Sequence, residues 1–307
     1  MDQSNSDNYH VPVMLTEALD GLNIRPDGTY VDVTFGGGGH SRAIMERLGE
    51  GGRLLAFDQD ADAAANAIDD SRFTLIGENF RHMKAFLRMH GVRQVDGVLA
   101  DLGVSSHQFD TAGRGFSTRI DGELDMRMDS RQPESARDLV NSLDEEGLAR
   151  LLKLYGELPN ARQMARAIVK ARSDKEITTT FELRDAVSHH LPRGMENKYL
   201  AMLFQALRIE VNGELEALKE MLLQATSMLG EGGRLVVISY HSLEDRLVKN
   251  YMKTGNFEGQ LEKDFYGNVL APLRMISRGA IQASEAELQC NNRSRSAKLR
   301  VAERIEN

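Results

Sequence analysis

The sequence predicts an open α/β fold with a largely parallel sheet, interrupted by an all-helical insert. Three observations carry this. Short apolar runs alternate with helical stretches through the first hundred residues; the alternation stops after Asp101 and four helical segments follow without a strand; a strand and a helix then return at 234–252. At 307 residues the chain exceeds a usual single domain. The expected division is 1–107 and 199–307 for the discontinuous sheet domain and 108–198 for the insert.

Element by element, 13–19 reads as a short amphipathic helix, and the turn around Pro26, Asp27 and Gly28 delivers the chain into a strand at 30–34. A helix at 41–48 and a strand at 53–57 complete one βαβ unit. Residues 60–68 are rich in alanine and predict a helix, 73–76 a third strand, 82–89 a helix and 95–99 a fourth strand. The insert carries helical periods at 136–141, 144–155, 161–171 and 180–189, and Pro192 with Gly194 marks its return. Residues 200–228 read as strongly helical, 235–238 as a buried strand and 243–252 as a helix; 257–284 have no regular period, and 300–305 predict a last strand or helical turn.

Composition narrows the function classes. No apolar stretch approaches a membrane-spanning length, and the first thirty residues are polar with several acids, unlike a secretory signal; a soluble, intracellular protein is expected. Cys290 is the only cysteine, so neither an intramolecular disulfide nor a thiolate metal cluster is available. The histidines are dispersed, and Asp125 with Asp129 is a weak metal candidate, so no metal is expected. A net charge of −8 gives no global attraction to a polyanion. Any nucleic-acid contact needs local basic surface, offered by Arg162, Arg166, Lys170, Arg172 and Lys175, and by Arg293, Arg295, Lys298, Arg300 and Arg304.

In an open α/β sheet, ligands bind beyond the carboxyl ends of the strands. The residues there are Asp32, Thr34, Asp58, Asn79 with Phe80, Asp101, and Tyr240 with His241. Four glycines, Gly36 to Gly39, follow the first strand directly; glycine lets the backbone turn tightly against a ligand where a Cβ would clash. Asp58 ends the next strand, where an acid accepts hydrogen bonds from ribose hydroxyls. The cofactor is therefore read as a nucleoside. No phosphate-binding G-x-x-x-x-G-K-[ST] loop is present, and the glycines lack the G-x-G-x-x-G spacing of dinucleotide sites. S-adenosyl-L-methionine suits this loop better than a nicotinamide or flavin cofactor, which stay open as alternatives. His241, Ser242, Glu244 and Asp245 lack a nucleophile elbow, which argues against a hydrolase; Ser242 is the expected N-cap of the following helix, with Asp245 at N3.

Seven blocks carry a more specific likeness: HVPVML at 10–15, YVDVTFGGGGHSR at 30–42, DLGVSS at 101–106, RGFS at 114–117 with LDMRMD at 124–129, FQALRI at 204–209, VISYHSLEDR at 237–246 and RSRSAKLRVAE at 293–303. In this order they resemble the bacterial 16S ribosomal RNA cytosine-N4 methyltransferase family. The resemblance implies a cytoplasmic class I methyltransferase, Rossmann-like, with a helical insert for substrate recognition. It would transfer a methyl group from S-adenosyl-L-methionine to the exocyclic N4 of a cytidine in the decoding region. The substrate would be 16S rRNA in the small subunit or a late assembly intermediate, and a homodimer is known in the family. The family's cofactor positions fall on Gly38, Gly39, His40, Asp58, Phe80, Asp101 and Gln108. The chain departs from the commoner pattern at 155–161, 197–202 and 255–281.

Chemistry supplies the remaining candidates. The N4 lone pair is delocalised into the cytosine ring, so an acceptor at the amine and exact placement of the methyl group must supply the rate. Asp101, with Tyr240 and His241 at the mouth, is the expected catalytic set. Phe109, Phe116 and Tyr240 are candidate stacking partners for a base drawn out of its stack. Arg293, Arg295, Lys298 and Arg300 are the expected RNA contacts.

Overall fold

The computed structural model describes residues 12–267 and 270–306. His10, from the first of the seven blocks, lies outside them. The described chain forms two compact units: residues up to Gly103 together with Ala217 onward, and Val104–Glu216.

The first unit is built on a seven-stranded sheet: β1 Thr29–Asp32, β2 Arg53–Phe57, β3 Phe73–Ile76, β4 Val95–Asp101, β5 Leu229–Ser239, β6 Leu273–Met275 and β7 Lys298–Arg304. Its order is β3-β2-β1-β4-β5-β7-β6. The first five strands are parallel, with Val31 opposite both Leu55 and Val98, and Val98 opposite Leu235. β7 is antiparallel to β5, and β6 to β7. The chain runs outward from β1 to β3 and then crosses to β4, so the order reverses between β1 and β4. That is the switch point at which an open sheet binds ligand.

Side chains alternate along each strand between two cores. Val31, Leu55, Phe57, Val98, Ala100, Leu235 and Val237 face one side. There they meet Leu87 of α3 (Met83–Met89), Leu218 and Leu222 of α10 (Glu214–Met228), and Val248 and Met252 of α11 (Ser242–Thr254). Tyr30, Leu54, Ala56, Leu99, Val236 and Ile238 face the other, against Ala18, Leu19 and Leu22 of α1 (Leu15–Leu22) and Ile44 and Met45 of α2 (Gly39–Arg47). Strands covered on both faces read as continuous apolar runs, which is why the sequence marks them well. The alanine-rich segment differs from expectation. Ala61–Asn66 is a 3-10 helix capped by Asp60, and only Ala63 is buried. Propensity alone does not make an α-helix where so little apolar face is covered.

The second unit is helical: α4 Ser106–Asp110, α5 Ala136–Ser142, α6 Glu145–Leu154, α7 Ala161–Asp174, α8 Thr180–Val187 and α9 Glu196–Asn212. Ser135, Asp144 and Thr179 accept N-terminal N–H groups of α5, α6 and α8, donors that no carbonyl within the helix can satisfy. Leu148, Leu152, Met164, Ile168, Leu183, Leu203 and Leu207 share its core. Where the sequence places the return near 198, α9 stays with the helical unit because Leu200, Leu203, Phe204 and Leu207 pack there. The single helix expected at 200–228 is two helices, broken at Gly213 with φ +57°.

The blocks at 114–117 and 124–129 form a knot within this unit. Arg114 donates to the carbonyls of Arg127 and Met128 at 3.1 and 3.2 Å. Buried Asn212 accepts the Met128 N–H and donates to the Met126 carbonyl, both at 2.8 Å. Asp125 and Asp129 pair with Arg127 and Arg131. Those carboxylates therefore serve loop structure. The last helix of the chain, α12 Glu285–Cys290, belongs to the first unit. Among the described residues no helix is long and apolar enough to cross a membrane.

Candidate active site

The glycine turn and the tip of β2 form one hydrogen-bonded assembly. The Asp58 carboxylate accepts the Gly36 N–H at 2.7 Å and the Asp60 N–H at 2.8 Å. Asn66, from the 3-10 helix, donates to the Gly36 carbonyl at 3.1 Å, and Arg42 donates to the Asn66 carbonyl at 3.0 Å. Asp58 therefore faces the loop. Burial pushes its carboxyl up to about 6, against the lowering effect of the two N–H donors.

The four glycines meet different surroundings. Gly36 and Gly38 have positive φ, +51° and +76°, the left-handed region where glycine is favoured. A Cβ on Gly38 would lie 2.9 Å from the Phe35 ring, and one on Gly39 2.3 Å from Pro12. A Cβ on Gly37 would meet nothing within 4 Å. The loop thus has an open flank at Gly37, next in sequence to the Gly36 whose N–H the Asp58 carboxylate accepts. An adenosine needs such a pairing of bare backbone with a hydroxyl acceptor, so the residues fit the group.

Gly37 belongs to the four-glycine turn but not to the positions implied by the resemblance, and its open surroundings set it apart from the packed Gly39. Gly39→Ala should destabilise the fold by about 1–3 kcal/mol through overpacking against Pro12. Gly37→Ala should leave the denaturant midpoint unchanged and weaken cofactor uptake. Equal losses of stability in both variants would refute the distinction.

A second assembly lies at the tips of β1, β4 and β5. The Tyr240 hydroxyl donates to Asp101 Oδ1 at 2.6 Å, and the Asp101 N–H donates to Thr34 Oγ1 at 2.7 Å. Asp101 Oδ2 faces His40 Nδ1 at 3.8 Å. His40 Nε2 lies 3.1 Å from the Val13 carbonyl. Asp32, at the tip of β1, accepts the Ser41 hydroxyl at 2.7 Å and the Thr34 N–H at 3.0 Å. Burial raises the Asp101 carboxyl, and it raises the Tyr240 phenol well above its usual range, reinforced by the charge of Asp101. Tyr240 accordingly stays a hydrogen-bond donor.

Of the residues named from the sequence, Asp58 binds the glycine turn and His40 lies beside Asp101 in the second assembly. Phe80 opens the short 3-10 turn after β3 and is half-buried against the core; Asn79 beside it donates to Gln59 at 2.7 Å. Gln108 lies in the helical unit, where its side chain accepts the Ser105 N–H at 3.1 Å in a capping box.

His241, not Ser242, is the N-cap of α11, with Glu244 at N3. Its ring lies against Glu244, Nε2 at 3.1 Å from Oε1, and is 9% exposed. The Glu244 carboxylate also accepts the Tyr240 N–H at 2.9 Å, so it fixes the residue that holds Asp101. The serine at 242 drew the capping pattern one residue too late. Glu287 was likewise missed. From α12 it accepts the Met14 N–H at 2.8 Å and pairs with the Ser294 hydroxyl, tying the segment above His40 to the C-terminal region.

The C-terminal basic run divides sharply. Arg295 is exposed and Arg293 half-buried. Arg300 is buried, donating to Asp245 at 2.7 Å, and Lys298 reaches the same carboxylate at 3.3 Å. Residues two apart on a strand share a face, and here that face is Asp245. Arg300 is thus an internal ion-pair partner rather than the surface cation expected from charge pattern.

Known proteins resemble this chain along nearly its whole length. A protein of Bacteroides thetaiotaomicron named ribosomal RNA small subunit methyltransferase H is 60% identical over 96% of this chain and 97% of its own length. One of the same name from Flavobacterium johnsoniae is 57% identical over 97% and 98%. A solved rRNA methylase structure from Streptococcus thermophilus aligns with TM-score 0.41 at 11% identity, covering 95% of this chain and 92% of that one. The model of the MraW methylase family matches residues 7–305. Matched by that model over nearly its whole length and by relatives of the same extent, the chain belongs to the MraW methylase family.

Proposed function

We propose that this chain methylates the exocyclic N4 of a cytidine in 16S rRNA of the small ribosomal subunit, using S-adenosyl-L-methionine. The observation that carries the reading is the pair of strand-tip carboxylates, Asp58 on the glycine turn and Asp101 under the Tyr240 hydroxyl, in a chain 60% identical to a small-subunit RNA methyltransferase. When bound, the cofactor supplies a methyl group on a positively charged sulfur, already activated for transfer. Gly37 would admit it to the turn that Gly38 and Gly39 shape by packing, Asp58 would accept its ribose hydroxyls, and Phe80 would flank its base. Asp101 would accept a hydrogen bond from the reacting amine, which weakens delocalisation of the nitrogen lone pair and fixes its direction. Tyr240 orients that carboxylate.

The helical unit is assigned to substrate recognition. Arg162 and Lys170 on α7 are exposed, whereas Arg166, Arg172 and Lys175 engage Glu145, the Val140 carbonyl and Glu182. In the C-terminal run, Arg293 and Arg295 remain the RNA-contact candidates. Arg295→Ala should weaken RNA binding, lower the salt-dependence slope by about 1 and leave cofactor affinity unchanged. An equal loss of both affinities would remove the assignment.

The test of the reaction is nucleoside mass spectrometry. Purified small subunits and late assembly intermediates from cells lacking this protein are incubated with it and labelled cofactor, then digested. N4-methylated cytidine is the expected product, and its absence from both substrates defeats the reading. Sedimentation of the protein reports whether the homodimer implied by the resemblance forms.

A further inference from the structure

We infer that His40 is the proton-holding end of a buried chain that runs from Tyr240 through Asp101. The inference rests on the reaction just proposed, in which Asp101 meets the amine. It deepens the role of His40 from cofactor neighbour to positioning residue for the proton that the reaction releases.

The geometry fixes the tautomer. A carbonyl oxygen only accepts, so the 3.1 Å contact between His40 Nε2 and the Val13 carbonyl places a proton on Nε2. In the neutral ring Nδ1 is then a bare lone pair, and it is aimed at Asp101 Oδ2, 3.8 Å away. Two acceptors facing each other mark a place for one additional proton. The other Asp101 oxygen already accepts the Tyr240 hydroxyl at 2.6 Å. Asp32, the second buried acid near the ring, is occupied by Ser41 and the Thr34 N–H. Exposure sets the order of events. The Asp101 side chain is 22% exposed and that of His40 only 7%, so a proton reaches the histidine by way of the carboxylate.

The balance closes on these groups. As N4 forms its bond to the methyl carbon with its lone pair, the electrons of the sulfur–carbon bond stay on sulfur as a thioether. The nitrogen then sheds one proton to Asp101, which turns to hand it to His40 Nδ1. The imidazolium that results is held between Val13, Asp101 and Asp32. The ionisable groups facing the chain are Asp32, Glu244, Tyr240 and, next to Tyr240, Arg293.

Two measurements decide the matter. His40→Gln keeps an amide donor for the Val13 carbonyl and removes the titrating nitrogen. In single-turnover assays at saturating cofactor and RNA, it should slow transfer by about tenfold or more. It should also alter the acidic limb of the wild-type pH–rate profile, to which the raised carboxyl of Asp101 contributes as well. A wild-type rate and profile in His40→Gln overturns the inference. Independently of activity or folding of any variant, nitrogen-15 NMR of the wild-type protein with the demethylated cofactor should show neutral His40 carrying its proton on Nε2 and a bare Nδ1. A neutral ring protonated on Nδ1 overturns it. If the wild type makes no methylated cytidine, the proposed reaction fails, and the NMR result still decides where the proton resides.

Discussion

Asp101→Asn is expected to lower the turnover rate by about a hundredfold to ten-thousandfold, the usual contribution of a positioned proton acceptor, while cofactor affinity changes by less than about threefold. The substitution is nearly silent for the surrounding structure. The asparagine oxygen can still accept the Tyr240 hydroxyl, and the backbone N–H still reaches Thr34. What disappears is the negative charge and the oxygen that faces His40. Burial raises the Asp101 carboxyl, so its stability contribution is complete below the ordinary carboxylate range and is lost as pH rises through the raised value. The asparagine carries no such loss, and the variant should melt at or above the wild-type temperature at pH 8. Calorimetric titration with cofactor and single-turnover transfer on small subunits separate the possibilities. A large loss of cofactor affinity with normal transfer at saturation would make Asp101 a cofactor ligand alone.

Much of this arrangement was legible because it rests on local pattern. Runs such as 53–57 and 73–76 are bounded by turn residues and covered on both faces, so their ends in the sequence and in the structure coincide. The carboxylates of Asp58 and Asp101 could be named as strand-tip groups because an open sheet exposes those ends to ligand. Contacts between distant segments were not legible. The strand-end pattern groups Tyr240 with Asp101 without showing that its hydroxyl binds the carboxylate 139 residues away, and nothing announces that Glu287 will accept the Met14 N–H across 273 residues. Local signals also competed. The leucine period runs on across Gly213, hiding the break between α9 and α10, and the run RSRSAKLR shows charge without showing that β7 turns Lys298 and Arg300 onto Asp245. Charge is visible in a sequence, but the face of a strand that bears it depends on its neighbours.

Asp58→Asn is expected to weaken cofactor binding at pH 8 by at least about a hundredfold, since hydrogen bonds to an ionised acceptor contribute roughly 1.5–3 kcal/mol each and a ribose offers two hydroxyls. The amide also turns an NH2 toward one of the two backbone donors that the carboxylate satisfies, Gly36 or Asp60, so the turn itself loosens. The wild-type protein should carry a matching pH signature. Burial holds the Asp58 carboxyl at about 6, and the hydroxyls require its ionised form. Affinity should therefore be level above that pH and fall as pH drops through it, approaching tenfold per unit. The unliganded fold has the opposite sign. A raised carboxyl contributes stability that is full below the ordinary value of 3.8 and is lost as pH rises through about 6, so the cofactor should protect most against thermal unfolding on the alkaline side. Calorimetry from pH 5 to 8 on both proteins tests the linkage. A wild-type affinity that stays flat through pH 6, or a variant that follows the same curve, would detach Asp58 from the ribose.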